Sequence, residues 1–212
     1  MKSFLSYLKG AVILTVLMLV ICGLAYPAVL TGLGQVIFPN QANGSLITAD
    51  GEKTKNPEEA VGSAIVGQDF SGDLRYFQSR VSSIGYNTYD TAEEAIANVG
   101  SGNTNYGATN EELEKRVQES VDQFLADHPD VKKGDIPADL LTASGSGLDP
   151  NITPESAEIQ VPTVAKNSGL SEDEVRTIVE NNTQGKVFGV FGHDRVNVLK
   201  CNLEIAKAIG EI

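Results

Sequence analysis

The chain has 212 residues, with 16 basic and 28 acidic side chains and a formal net charge of −12 at pH 7. Its acidic balance argues against a nucleic-acid partner and against binding to anionic lipid headgroups. Its two cysteines and two histidines are too few for the usual zinc spacings, and it has no phosphate loop, G-x-S-x-G or H-E-x-x-H motif.

An apolar run opens the chain, and no charged side chain lies between Lys9 and Asp50. A helix needs about 20 apolar residues to cross the hydrocarbon core of a bilayer. The run therefore predicts a transmembrane helix over residues 10–31, between a short N-terminal stretch, 1–9, and a domain formed by residues 32–212.

A signal peptide is the alternative interpretation of this run. Lys2 and Lys9 form a basic start, and small residues such as Ala25 and Ala28 follow the apolar segment. The segment is longer than the usual apolar core of a signal peptide, about 7–15 residues, which favours an uncleaved anchor.

Charge also predicts the orientation of the anchor. The two lysines precede the span, and no basic residue follows it until Lys53. The positive-inside rule then leaves residues 1–9 in the cytoplasm and residues 32–212 outside. The outer part carries 14 basic and 28 acidic side chains, a net charge of −14 that mildly attracts cations.

The pattern after the span predicts an α+β protein: one transmembrane helix followed by a single extracytoplasmic mixed α/β domain with short strands and several helices. Pro27 predicts a kink near the outer membrane interface, since proline interrupts the helical hydrogen bonds. Short strands are predicted at Leu46-Ile47 and at residues 62–67, and mostly loops at 69–107.

Helix-capping patterns dominate the C-terminal half. Capping boxes are predicted at Thr109-Asn-Glu-Glu112, opening a helix that ends at Asp127, and at Ser171-Glu-Asp-Glu174. Further helices are predicted at 137–141, from the cap Thr153, from Pro162 to Gly169, and at 203–209 with Asn202 as its cap. Residues 187–191 and 195–198 are predicted to be strands.

The polar stretch from Thr142 to Asn151 is a candidate site. Backbone N–H groups around Ser144 and Ser146, beside Asp149 and Asn151, could hold an anion or a partner loop. Alternatively, Asp149 or Asn151 bonds to its own turn and prepares the helix that follows.

Three amides lie just beyond the span: Gln35, Gln41 and Asn43. They could line a path for a hydrated cation or dock a larger membrane partner, or they could simply be exposed turn residues.

The two histidines are interpreted as structural, His128 at a helix end and His193 in a surface turn. Cys201 is interpreted as a small buried apolar residue.

Short motifs run through the whole chain: Tyr26-Pro, Leu33-Gly-Gln35, Phe38-Pro, Gln41-Ala-Asn-Gly-Ser-Leu-Ile47, Gly62-Ser-x-x-x-Gly-Gln-x-Phe70, Tyr76-Phe77, Leu141-Thr-Ala-Ser-Gly-Ser-Gly-Leu-Asp-Pro-Asn-Ile-Thr-Pro154, Gln160-Val-Pro162, Val164-Ala165, Val196-Asn-Val198 and Asn202-Leu203. In this order, and with a single N-terminal span, they resemble the C subunits of Kdp-type potassium-transporting ATPases.

Two segments depart from that family. One is Tyr76-Phe-Gln-Ser-Arg-Val-Ser82, where the family has Tyr-Phe-His-Gly-Arg-Pro-Ser. The other is Gly100-Ser-Gly-Asn-Thr-Asn105, where the family has a Gly-Gly-Ser-Asn region.

The resemblance implies a non-catalytic accessory subunit in the bacterial inner membrane. Its implied partners are a channel-like potassium-translocating subunit and a P-type ATPase subunit, and potassium is the ion that the complex transports. It also implies a role as a catalytic chaperone that raises the ATP affinity of the ATPase subunit, with Gln35 and Ser144-Gly-Ser-Gly147 as the nearest matches to the nucleotide contacts. No tightly bound cofactor and no metal are implied. The alternative function, from another class, is a membrane-tethered extracytoplasmic enzyme or solute-binding domain.

Overall fold

The structure is a computed structural model, which describes residues 2–88, 91, 94 and 99–212. It consists of one long N-terminal helix followed by a domain of short helices and two small antiparallel sheets. The predicted α+β class with one apolar N-terminal helix is confirmed.

The N-terminal helix is continuous from Lys2 to Ile37, in three parts. Helix α1 (Lys2–Val20) passes into a π-helical turn (Ile21–Ala25) and then into α2 (Tyr26–Ile37). Pro27 has no N–H group, and its ring crowds the carbonyl four residues earlier. A wider π-helical turn ends two residues before it, at Ala25, while the kink itself stays a prediction.

This helix meets the length and composition of a membrane span. The stretch Phe4–Ile37 has 34 residues and a mean hydropathy of 2.5, and none of the span window is buried inside the protein. The helix extends past the predicted span of 10–31 at both ends, and the limits of the membrane-embedded part stay a prediction.

The chain turns sharply where the long helix ends. Phe38 leaves the helical conformation, and a short helix, α3 (Pro39–Ala42), follows. Strand β1 (Leu46–Thr48) then pairs antiparallel with β2 (Ala60–Ser63). The first strand was predicted at this place, but β2 begins earlier than predicted and ends at Ser63. The chain turns there because the Ser63 carbonyl accepts from the Val66 N–H group at 3.3 Å.

Residues 69–107 are mostly irregular where they are described, as predicted, with a 3₁₀ turn at Gly85–Asn87. This segment is nevertheless anchored, because Phe77 is 1% exposed and belongs to the core. Its backbone N–H and carbonyl groups bond to the side-chain amide of Asn202, at 2.8 and 2.9 Å. The loop is thus fixed at Phe77 to the C-terminal part of the chain.

Helix α4 (Glu111–Asp127) ends where the sequence predicts, but its cap is different. Asn110, not Thr109, is the N-cap, and its side-chain oxygen accepts from the backbone N–H groups of Glu112 and Leu113. The capping box predicted from Thr109 is therefore wrong by one residue. Asparagine is at least as good an N-cap as threonine, so local preference alone allows the helix to be capped by either residue.

The next four helices are short, and the side-chain caps predicted for two of them are present. They are α5 (Ala138–Leu141), α6 (Pro154–Glu158), α7 (Val161–Ser168) and α8 (Glu172–Asn181). Thr153 caps α6, and Ser171 and Glu174 form the complete predicted capping box of α8. Gly169, at φ +81°, ends α7 in the left-handed conformation that glycine adopts without strain.

The second sheet has the order β3–β5–β4, from β3 (Asn151–Ile152), β4 (Thr183–Gln184) and β5 (Arg195–Asn197), all antiparallel. The strand predicted at 187–191 is wrong. Only an isolated bridge joins Val187 to Phe191, because these residues form a tight turn between β4 and β5.

Helix α9 (Val198–Ala208) begins five residues earlier than predicted. Its cap is Asn197, whose side-chain oxygen accepts from the Lys200 N–H group at 3.1 Å. Asn202, the predicted cap, lies inside the helix and is 2% exposed. Its amide is already used to hold the loop at Phe77, so it serves tertiary structure instead of the helix end.

One hydrophobic core joins these elements. It is formed by apolar side chains of α4 to α9, of the β3–β5–β4 sheet and of the loop at Phe77. Its members include Phe77, Val121, Leu140, Ile152, Ala157, Val161, Val175, Val196, Cys201 and Ile205. The three buried apolar residues of α8, Val175, Ile178 and Val179, all belong to it.

Candidate partner and ligand sites

The amides beyond the span form a joint between the long helix and the domain. The Gln35 Nε2 group donates to Asn43 Oδ1 at 3.2 Å, and the Asn43 Nδ2 group donates to Gln35 Oε1 at 3.0 Å. Asn43 Nδ2 also donates to the Pro39 carbonyl at 2.6 Å. Two of the three predicted residues are therefore brought together as a closed amide pair, while the side chain of Gln41 stays exposed.

The Ser144–Asn151 stretch bonds both within its own turn and to other segments, since the Ser82 hydroxyl donates to the Gly147 carbonyl at 2.7 Å and the Gly67 N–H group to the Leu148 carbonyl at 2.9 Å. The Gly147 N–H group donates to Ser144 Oγ at 2.9 Å, and the Leu148 N–H group donates to Ser146 Oγ at 3.1 Å. The Asn151 N–H group donates to Asp149 Oδ1 at 3.0 Å. Ser144 is buried. This geometry is the local turn that was the alternative to an anion site, and it leaves these donors already occupied.

Arg80 forms an ion pair that the sequence did not predict. Its Nη1 donates to Asp149 Oδ2 at 2.9 Å, and the two side chains are 23% and 27% exposed. The Arg80 carbonyl also accepts from the Tyr86 hydroxyl, and burial raises the pKa of Tyr86 to about 12. A separation of 69 residues along the chain hides such a pair from local sequence patterns.

A cleft of about 660 Å³ lies between the loop that carries Arg80 and helix α4. Its wall includes Arg80, Tyr86, Arg116, Phe124 and His128. The volume is within the range of small-molecule sites. The lining carries charges of both signs, with Asp69, Glu119 and Asp127 beside the two arginines, so it does not select an anion by charge.

His128 lies in the wall of this cleft and is 2% exposed. Its ring stacks on Phe124, with 4.2 Å between the ring centroids, and its Nδ1 lies 2.7 Å from Thr163 Oγ1. Desolvation by burial lowers the pKa of His128, and the nearby Asp127 opposes that shift. A buried, stacked imidazole agrees with the structural interpretation of this residue.

The segment of residues 76–82 is also well anchored. The Gln78 backbone N–H group donates to Gln160 Oε1 at 2.8 Å. Gln160 is completely buried. The Gln78 side chain donates to the carbonyls of Asp73 and Tyr76, both at 3.1 Å, which folds the loop on itself.

The remaining side chains that could act in catalysis or bind a metal do not meet at one site. Within the described residues, no hydrogen bond or ion pair joins His193 to Asp149 or Glu204, and no group of three or more His, Cys, Asp or Glu is placed to hold a metal ion. Cys201 is completely buried, and burial raises the pKa of its thiol, so its interpretation as a small apolar residue is confirmed.

Comparison with known proteins gives one consistent result. Residues 8–207 match the family KdpC, described as the c chain of K⁺-transporting ATPase. The potassium-transporting ATPase KdpC subunit of Clostridium kluyveri is 54% identical over 213 residues, covering 99% of this chain and 98% of that protein. The subunit of the same name from Clostridioides difficile is 53% identical, with 97% and 99% covered, and that of Caldanaerobacter subterraneus is 40% identical, with 95% of each covered.

These relatives span the long helix as well as the domain, so the likeness concerns the complete architecture described above. The chain belongs to the KdpC family, the c chains of K⁺-transporting ATPases.

Proposed function

We propose that this chain is a non-catalytic accessory subunit of an ATP-driven potassium uptake complex. In this proposal the long helix spans the cell membrane once and docks against partner subunits there. The observation that carries the proposal is the long helix itself, whose apolar side chains are exposed along its length, as Leu17, Leu24 and Val29 show. A surface of this kind needs lipid or other spans around it.

The proposed partners are a channel-like potassium-translocating subunit and a P-type ATPase subunit. A deletion of residues 3–30 removes most of the proposed docking helix. We expect the shortened chain to fail to co-purify with the other subunits, and cells that depend on it to fail to grow on micromolar potassium. Co-purification together with growth would contradict the proposal.

The proposed orientation has residues 1–9 in the cytoplasm and the domain outside. Glu58 and Ser6 are both exposed, one on each side of the proposed span. A membrane-impermeant maleimide should label Glu58→Cys in intact cells and Ser6→Cys only after permeabilisation, both in a Cys22→Ser background. Ser144 is buried and is a poor position for this label. The opposite labelling pattern would reverse the topology.

The acidic domain supports a further part of the proposal, a role in shaping the entrance for cations. The 28 acidic and 14 basic side chains beyond the span create a negative field. At physiological salt such a field reaches about 8 Å, so it acts only on ions close to the surface. When exposed carboxylates of the domain are neutralised, we expect the apparent affinity of the complex for potassium to fall. The measurement is potassium uptake at low ionic strength.

A catalytic-chaperone role with bound ATP is proposed only as an open extension. Gln35 is engaged with Asn43, and the N–H groups of Gly147 and Leu148 are engaged with their own turn. The N–H groups of Gly147 and Leu148 are therefore not free for a phosphate, whereas Gln35 Nε2 keeps one N–H group beyond its bond to Asn43 Oδ1. Equilibrium dialysis of the purified chain with ATP, compared with the KM for ATP of the complex with and without the chain, decides the matter.

A further inference from the structure

The turn between β4 and β5 carries an exposed apolar tip, defined here as residues 187–191. Its four large side chains are far from buried: Val187 is 51% exposed, Phe188 91%, Val190 74% and Phe191 67%. The turn begins and ends in polar residues, Lys186 before it and His193 and Asp194 shortly after. Two phenylalanines and two valines grouped in water at one turn favour a contact surface over chance exposure.

The apolar tip is held in one conformation by its own backbone. The Val187 N–H group donates to the Phe191 carbonyl at 2.9 Å, and the Phe191 N–H group donates back to the Val187 carbonyl at 3.0 Å. At the base of the turn, the Lys186 N–H group donates to Asp194 Oδ1 at 3.1 Å. The side chains are therefore displayed on an ordered turn, which lowers the entropy lost on binding.

Phe188 has a backbone conformation that its own side chain disfavours. Its φ is +54°, in the left-handed region where bulky residues are uncommon and where glycine or asparagine fits better. The most exposed aromatic residue of the turn thus occupies a position that asparagine would occupy with less strain. A strained, exposed phenylalanine points to a function in binding.

The size of the apolar tip indicates what kind of partner it meets. Two aromatic and two β-branched side chains bury on the order of 500 Å² on one side, whereas a stable independent interface needs about 800 Å² per partner. The apolar tip is too small to form a dimer or a soluble complex alone. It is sufficient as an anchor when the membrane span already holds both partners together, because tethering raises the effective concentration.

Charge argues against lipid as the occupant. Turns and helices that insert into anionic membranes combine apolar residues with clustered Lys and Arg, and interfacial anchors favour Trp and Tyr. Here Lys186, Asp194 and Arg195 flank the turn, so its surroundings carry one net positive charge instead of a cluster of Lys and Arg. The apolar tip has neither Trp nor Tyr, and the outer part of the chain has a net charge of −14.

We propose that the apolar tip inserts Phe188 and Phe191 into an apolar pocket on the extracytoplasmic surface of another chain of the same ATPase. This inference rests on the proposed function, since it requires the chain to assemble with partners and its domain to lie outside. It adds the position of a second anchor, far along the sequence from the docking helix.

The test compares Phe188→Asn, which removes the apolar side chain and suits the left-handed backbone, with Ile212→Asn, which removes an exposed apolar side chain at the C-terminus. Each full-length variant is co-expressed with the other subunits, and its dissociation from the purified complex in detergent is timed. We expect Phe188→Asn to dissociate about 10- to 100-fold faster than wild type and Ile212→Asn to match wild type. The thermal midpoint of the isolated Phe188→Asn chain should be unchanged or raised.

A photoreactive phenylalanine analogue at position 191 of the otherwise unchanged chain gives an independent readout in native membranes. A cross-link to another ATPase subunit supports the inference. Cross-linking to lipid alone, or a Phe188→Asn dissociation rate equal to that of wild type in an intact complex, overturns it and leaves the proposed function standing. If the wild-type chain itself does not co-purify, the proposed function and this inference fail together.

Discussion

Asn202 joins two parts of the chain that are 125 residues apart. Its buried amide accepts from the Phe77 N–H group and donates to the Phe77 carbonyl. Asn202→Ala would leave both backbone groups buried without partners, since Phe77 is only 1% exposed. We expect a loss of about 2–4 kcal/mol in the free energy of unfolding, measured by urea denaturation in detergent.

A second asparagine provides the control for Asn202. Asn167 also bonds to a backbone carbonyl, that of Thr163 at 2.7 Å, but its side chain is exposed. Water can replace that bond, so Asn167→Ala should cost less than about 0.5 kcal/mol. Equal losses for the two variants would mean that the bridge to Phe77 contributes nothing beyond an ordinary surface amide.

His128 predicts how stability changes with pH. Burial lowers its pKa in the folded state below the ordinary value of 6.5. Between that lowered pKa and about 6.5 the unfolded chain therefore binds more protons. The contribution of His128 is complete above about pH 6.5 and is lost as the pH falls towards the folded-state pKa.

The measurement is the thermal midpoint of wild type and His128→Gln between pH 8 and pH 5. The glutamine side chain does not titrate, so the difference between the two proteins should be largest at pH 8 and should narrow as the pH falls. Gln41→Ala changes an exposed side chain that does not titrate and should keep the wild-type slope. A difference that stays constant with pH would show that His128 is not the titrating group.

At the scale of single elements, the cap of helix α4 separates two alternatives that local sequence leaves open. The Asn110 side chain accepts from two N–H groups of the first turn, whereas Thr109 is exposed and precedes the cap. We expect Asn110→Ala to cost about 1 kcal/mol and Thr109→Ala to stay within about 0.5 kcal/mol, both measured by thermal unfolding. The reverse order would restore the capping box starting at Thr109.

Elements defined by contacts close in sequence were predicted well. The capping box at Ser171, the cap at Thr153 and the stop at Gly169 each depend on residues within one turn, and the structure has all three. The cap of α9 was missed because Asn197 and Asn202 are equally suitable locally. Only the position of Phe77, set by the tertiary fold, assigns Asn202 to the core.

The predicted strand at 187–191 was wrong for a different reason. Alternating Val and Phe with glycine is typical of a strand, but Phe188 and Gly189 both have positive φ, which a strand does not allow. The candidate sites show the same limit of sequence reasoning. Gln35 and Asn43, which bond to each other, are only eight residues apart in the sequence, whereas Arg80 and Asp149 meet only through the fold.

For the whole molecule, the decisive feature is how the span connects to the domain. The long helix is continuous through its π-helical turn as far as Ile37, and the chain then reverses within α3. A displacement of the long helix in the membrane is transmitted to the domain only if this connection is stiff. The amide pair of Gln35 and Asn43 closes it, and these bonds are exposed, so each contributes only about 0.5–1.5 kcal/mol.

Asn43→Ala should loosen this connection without unfolding the domain, because it removes the bonds to Gln35 and to the Pro39 carbonyl while β1 and the core stay intact. Spin labels on exposed Thr31 and Glu58 report the distance between helix and domain. We expect a broader distance distribution for Asn43→Ala and an unchanged one for Gln41→Ala, which alters the neighbouring exposed amide. Equal widths in wild type and both variants would show that the turn at Phe38 alone fixes the domain, and that the amide pair is free to serve a partner instead.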